Sequence, residues 1–120
     1  MKDESKVNRT HKHVVGYVNV DGKYTIGFKD YIYDDFRDGY ELEKISRSLL
    51  KPEKSTHLGG WDGMSGIFIK DNIQVNTWWH WLLEYYWEID TDDEAIQKKV
   101  YEWAVMVYDE YEKLEDKVEK

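Results

Sequence analysis

Histidine is the side chain of this sequence best suited to bind a transition metal, because the chain contains no cysteine. His11 and His13 are two residues apart, so a strand would present both imidazoles on one face, where they could chelate zinc. His57 and His80 lie far away in sequence, and no third ligand stands at a characteristic spacing. We therefore predict no metal site and no cofactor. The absence of cysteine also excludes disulfides and thiol chemistry.

Carboxylates are the second group that could perform chemistry. Asp34, Asp35 and Asp38 alternate with aromatic residues near Tyr33, a pattern that would suit a carboxylate site. Such a run is also typical of a polar turn that leads into a helix cap. A glycosidase-like pair requires a cleft and one carboxyl group with a raised pKa, which this pattern does not indicate. We predict no catalytic residues and interpret the chain as a binding protein and not an enzyme.

The segment Gly59–Gly66 is rich in glycine and resembles a phosphate-binding loop only superficially. It lacks the Gly-Lys-Ser/Thr ending of a P-loop, and the residues after it have the pattern of a strand. An exposed glycine-rich loop that carries Trp and Met is typical of a recognition surface, since rigid aromatic and adaptable Met side chains make good contacts. We predict that Trp61, Asp62 and Met64 contact a partner, with an inert connector as the alternative.

The net charge of −8 is concentrated in the last third of the chain. Residues 1–83 contain 12 acidic and 12 basic side chains, whereas residues 84–120 contain 13 acidic and 5 basic ones. Binding to phosphates requires a basic stripe, so we predict no direct contact with nucleic acid. The acids of the last predicted helix, including Glu102, Asp109 and Asp116, either form a solvated face or mimic DNA and occupy a basic groove on a partner.

The elements that position these residues begin with a predicted hairpin from His13 to Asp30, joined by the type I′ turn signal Asp21-Gly22. In that register Val20 pairs with Lys23. One face then carries the core residues Val15, Tyr17, Asn19, Tyr24, Ile26 and Phe28. The same register places Gly16 opposite Gly27, a gap that favours a packing accommodation over a ligand slot.

Three helices are predicted. The first begins at the cap Asp38-Gly39-Tyr40-Glu41 and ends before Pro52. The second runs from a Thr77 cap through Trp78 to Trp87, a segment that is apolar on all sides. The third begins at Thr91-Asp92-Asp93-Glu94 and keeps apolar residues at spacings of three and four. These residues are Ile96, Val100, Trp103, Ala104, Val107, Tyr111, Leu114 and Val118.

A second hairpin fills the interval between the first two helices, with strands at Gly66–Lys70 and Ile73–Asn76 around an Asp71-Asn72 turn. The predicted order is therefore ββαββαα, an α+β fold in which helices cover a small antiparallel sheet. We expect a flexible tail at residues 1–12 and a single domain at residues 13–120. The polar amino terminus and the lack of a long apolar run predict a cytoplasmic protein that does not contact a membrane.

The last predicted helix has a second apolar stripe, formed by Tyr101, Val105 and Tyr108. This stripe packs against another element of the chain or forms a partner or homodimer surface. Aromatic residues make up 16% of the sequence, and six of them are Trp, so the surplus belongs to a core or to an interface.

These features favour a small, acidic protein that inhibits a partner by stoichiometric binding. Such a partner would have a basic surface, as in a nuclease or Cas effector blocked by a phage anti-defence protein, or in a toxin neutralised by an immunity protein. The alternative is a small-molecule binder with an aromatic-lined pocket for a nucleotide-like ligand.

Overall fold

The computed structural model describes residues 8–33, 37–60, 63–80 and 84–115. Within these ranges, seven strands and two helices form an α+β fold. In chain order they are β1 (Asn8–His11), β2 (Val14–Val18), β3 (Tyr24–Phe28), α1 (Arg37–Leu50), β4 (Lys54–Gly60), β5 (Gly63–Lys70), β6 (Ile73–His80), β7 (Glu84–Ile89) and α2 (Glu94–Glu112).

The strands form one antiparallel sheet in the order β1-β2-β3-β7-β6-β5-β4. Helix α1 contacts β6 and β7, helix α2 contacts β2 and β3, and the two helices pack against each other. The α+β prediction is confirmed, but the predicted order ββαββαα is wrong, because three strands precede α1 and four follow it. Asn8–His11 was assigned to the tail and forms β1, while residues 1–7 lie outside the described ranges.

The hairpin of β2 and β3 has a register one residue away from the predicted one. Val14 pairs with Phe28, and the connection is the five-residue loop 19–23 instead of a two-residue turn. Asn19 closes this loop, because its Oδ1 accepts hydrogen bonds from the amides of Asp21 (2.9 Å) and Lys23 (3.0 Å).

A one-residue slip exchanges the faces of a strand. Ile26 and Phe28 are buried as predicted, but Val14 and Gly16 of β2 face the core with them. Val15 and Tyr17, which were predicted to be buried there, lie on the other face of the sheet. Gly16 is consequently opposite Ile26, and Gly27 is opposite Val15.

This register predicts different costs for two neighbouring substitutions. Val14→Ala should lower the free energy of unfolding by about 2 kcal/mol, the cost of two buried methyl groups with a small cavity. Val15→Ala should lower it by less than about 1 kcal/mol, because Val15 is only partly buried. Urea unfolding followed by circular dichroism measures both values, and a larger loss for Val15→Ala would contradict the observed register.

The predicted helix from Trp78 to Trp87 is wrong. The residues described there belong to strands β6 and β7, and residues 81–83 lie outside the described ranges. Tyr85, Trp87 and Ile89 point toward the helices, whereas Trp78 and Tyr86 point to the opposite face. Because both faces of these strands carry aromatic residues, the segment has the all-round apolar pattern of a buried helix.

The glycine-rich segment is not a long loop either. Strand β4 continues to Gly60 and strand β5 starts at Gly63, so the connection consists of residues 61 and 62, which lie outside the described ranges. The predicted hairpin of β5 and β6 is confirmed and extended, with Asp71 (φ 52°) and Asn72 (φ 68°) in its turn.

Helices are confirmed at both other predicted positions, but their ends differ. Helix α1 begins at Arg37, so Asp38 lies in its first turn instead of capping it, and helix α2 ends at Glu112, while Val118 lies outside the described residues. Helix α1 ends at Leu50, two residues before Pro52, and helix α2 follows the acidic cap. Asp93 is the residue that caps α2, because its carboxylate accepts hydrogen bonds from the amides of Ala95 and Ile96. In the described part of the chain, neither helix is long and apolar enough to cross a membrane.

Candidate functional site

One face of the sheet is covered by α1 and α2, and no helix of the described residues covers the other face. One row of directly paired residues crosses this open face in the order Leu58, Ser65, Trp78, Tyr86, Gly27 and Val15. Leu58 is 78% exposed and Trp78 is 40% exposed, and the Trp78 ring stacks on Tyr86 at a centroid distance of 6.5 Å. The open face therefore presents aromatic and aliphatic surface to solvent.

A groove of about 470 Å³ lies at the β2, β3 and β7 end of this open face. Tyr17, Tyr31 and Tyr86 are among its lining residues, and Gly27 leaves open space between the strands. A Cβ atom at Gly27 would have no heavy atom within 4 Å. The missing side chain of Gly27 thus helps to form the groove.

The groove is acidic. Asp21 and Glu88 line it, and no basic residue is found among its described lining residues. Asn19 donates a hydrogen bond from Nδ2 to Glu88 Oε2 (2.8 Å), which fixes the carboxylate at the groove. Aromatic ring faces and carboxylates both attract cations, and a guanidinium group can contact both. The groove is therefore suited to an arginine or lysine side chain.

The chain matches no protein-family model, no curated protein and no solved structure. The proposed function below therefore depends on the geometry of the described residues.

A second notable cluster lies under the covered face, around the buried carboxylate of Glu43 in α1. Glu43 is 2% exposed. Its Oε1 accepts a hydrogen bond from the Tyr85 hydroxyl (2.7 Å), and its Oε2 accepts one from the Thr77 hydroxyl (3.0 Å). Burial is the main cause that raises the pKa of Tyr85, and the negative charge of Glu43 is the second. The hydroxyl therefore stays protonated and acts as a hydrogen-bond donor.

Arg47 balances the charge of Glu43, and His57 lies beside the same carboxylate. Arg47 Nη2 lies 2.7 Å from Glu43 Oε2, and His57 Nε2 lies 3.2 Å from the same oxygen. Gly66 makes room for this arrangement, because a Cβ atom there would lie 2.7 Å from Arg47 Nη2 and 2.9 Å from Glu43 Oε2. One glycine of the segment predicted as a recognition loop thus serves internal packing.

The predicted partner-binding residues fall into four groups. Tyr101 and Tyr108 are buried within the chain, where their hydroxyl groups donate to the backbone oxygens of Val14 (2.6 Å) and Asp30 (2.8 Å). Glu102 and Asp109 are exposed on α2, and Val105 is half-buried beside them. Trp61, Asp62 and Asp116 lie outside the described residues, and Met64 lines a cleft beside α1.

The second stripe of α2 therefore contributes two tyrosines to the core, and the partly buried Val105 packs against that core. The exposed acids of α2 lie on the helix layer, and the groove lies on the opposite face of the sheet. Tyr86 and Glu88 were not predicted as site residues, because the apolar pattern around Tyr86 indicates a helix. The gap predicted at Gly27 was the sequence feature that pointed to this groove.

Proposed function

We propose that this chain is a protein-binding module that inhibits its partner by covering a basic surface. A nuclease, a Cas effector or a toxin has such a surface where it meets its substrate. The observation that carries the proposal is the groove of tyrosines and carboxylates on the open sheet face, next to exposed Trp78 and Leu58. Its chemistry complements an arginine or lysine side chain of another protein.

The energetics of such a contact follow from its composition. A cation over an aromatic ring contributes about 0.5–2 kcal/mol, depending on how far it is desolvated. The hydrogen bond from Asn19 holds Glu88 in place before a partner arrives, so little side-chain entropy is lost at that position on binding. The chain's net charge of −8 would accelerate the encounter with a positively charged surface.

Filling the groove should weaken binding without harming the fold. Gly27→Val places a β-branched side chain in an ordinary strand position with open space around its Cβ atom, so the free energy of unfolding should not fall. The partner's basic side chain would lose its site, and we expect the affinity to drop about tenfold or more. Wild-type and Gly27→Val proteins serve as paired baits in affinity capture, followed by calorimetry with the captured protein.

A matched pair of charge changes separates the groove from the acidic helix. Glu88→Gln removes one charge from the groove, and Glu102→Gln removes one from the exposed face of α2. The proposal expects weaker binding and slower association for Glu88→Gln alone. If Glu102→Gln weakens binding as much and Gly27→Val binds normally, the acidic helix and not the groove is the contact surface.

A further inference from the structure

A cleft of about 440 Å³ opens beside α1, on the side of the sheet opposite to the groove. Its lining comes from α1, from the edge strand β4 and from the neighbouring strand β5: Tyr40, Glu43, Lys44, Arg47, Ser48, His57 and Met64. Clefts of this size hold small organic molecules in many proteins. Tyr40 and Met64 supply an aromatic ring and a flexible thioether for an apolar body.

The electrostatics of this cleft are the reverse of those of the groove. Lys44 and Arg47 are cationic, and the only carboxylate among the described lining residues is that of Glu43. That carboxylate is already engaged by Tyr85, Thr77, Arg47 and His57. Its charge is therefore balanced inside the protein, and the cleft retains the positive charge of Lys44.

The hydrogen-bond donors of the cleft also favour a negatively charged ligand. The Lys44 ammonium lies 5.9 Å from the centroid of the Tyr40 ring, and it has no salt bridge within the described residues. The Nε–H group of Arg47 is buried and has no acceptor in the described part of the chain. Because that Nε atom is buried, the donor that a ligand in the cleft can reach is the Lys44 ammonium, and a ligand that supplies oxygen acceptors would satisfy it.

We infer that the cleft between α1 and the β4-β5 edge binds a small organic anion. Its carboxylate or phosphate group would lie between Lys44 and the Arg47-His57 pair. Its flat or apolar body would lie against Tyr40 and Met64. This inference stands on a different surface from the proposed protein contact, so either can fail without the other.

Methionine methyl groups offer a direct measurement. The chain contains three methionines, of which Met64 lines the cleft and Met106 is exposed on α2. In protein carrying ¹³C-labelled methionine methyl groups, benzoate and phenyl phosphate are titrated separately. We expect a saturable shift of the Met64 signal and no shift of the Met106 signal. The two probes distinguish a carboxylate from a phosphate ligand.

Two controls test the charge requirement. Benzamide has the shape of benzoate without its charge, and it should bind about tenfold more weakly or not at all. Lys44→Glu should weaken both anions by about tenfold or more, whereas Lys98→Glu, the same reversal on the exposed surface of α2, should have no effect. The inference is overturned if neither anion moves Met64, if benzamide binds as tightly, or if Lys98→Glu has the same effect as Lys44→Glu.

Discussion

Glu43→Ala is expected to lower the free energy of unfolding by about 3–5 kcal/mol, the usual cost of breaking a buried ion pair from one side. The substitution leaves the Arg47 guanidinium, whose side chain is 11% exposed, without its 2.7 Å partner. It also removes the acceptor of the Tyr85 and Thr77 hydroxyl groups, both of which are buried. Since small domains have a total stability of about 5–15 kcal/mol, this loss would be a large fraction.

Urea unfolding of the Glu43→Ala and Glu102→Ala variants compares their free energies of unfolding with that of the wild type. Glu102 is exposed on α2, and its substitution should change stability by no more than about 0.5 kcal/mol. A double variant, Glu43→Leu with Arg47→Leu, should recover much of the loss, because it removes both charges together. If Glu43→Ala costs less than about 1 kcal/mol, the carboxylate is not held as the structure shows.

Trp87→Ala is the second substitution with a large expected effect. Trp87 is fully buried at the centre of the sheet, and its ring packs edge-on against Phe28 (5.4 Å) and Phe68 (5.3 Å). Its Nε1 also donates to the Tyr85 hydroxyl (3.0 Å). Truncation would leave a cavity and remove a hydrogen-bond donor from the Tyr85 hydroxyl, and we expect a loss of about 3–5 kcal/mol.

Trp78→Ala is the matched control, because Trp78 lies on β6 beside β7 and faces away from the core. It is partly exposed, so its truncation should cost about 1 kcal/mol or less. Chemical denaturation followed by circular dichroism compares the two variants. Equal losses would show that the alternation of faces along β6 and β7 differs from the one described.

The elements that sequence analysis predicted correctly are those specified by local chemistry. Helix α2 has an acidic cap and a long run of apolar residues at helical spacing, and helix α1 has an acidic residue in its first turn and a proline after its end. The turn at Asp71-Asn72 was likewise recognisable, because both residues tolerate a positive φ. Each of these signals lies within a few residues of the structure it determines.

The elements that were predicted wrongly depend on distant contacts. The segment around Trp78 and Tyr86 has the pattern of a buried helix, because large apolar residues lie on both faces of strands β6 and β7. The pairing of β7 with β3 determines that the segment forms strands. The register of the first hairpin differs from the predicted one, because the Asn19 side chain closes a longer loop than Asp21-Gly22 alone would favour. The groove shares this dependence, because three strands from two distant regions of the chain line it.

The position of β7 in the sheet determines the order in which the molecule can be completed. Strands β1 to β3 and strands β4 to β6 are two separate antiparallel units, and β7 is the strand that joins them. Ile26 of β3 pairs with Trp87 of β7, about sixty residues later in the chain, and contacts that close so long a loop form slowly. Because Tyr86 and Glu88 of β7 also line the groove, a chain whose two halves have formed without joining would lack the groove. If the groove binds a partner as we propose, that binding would begin only when folding ends.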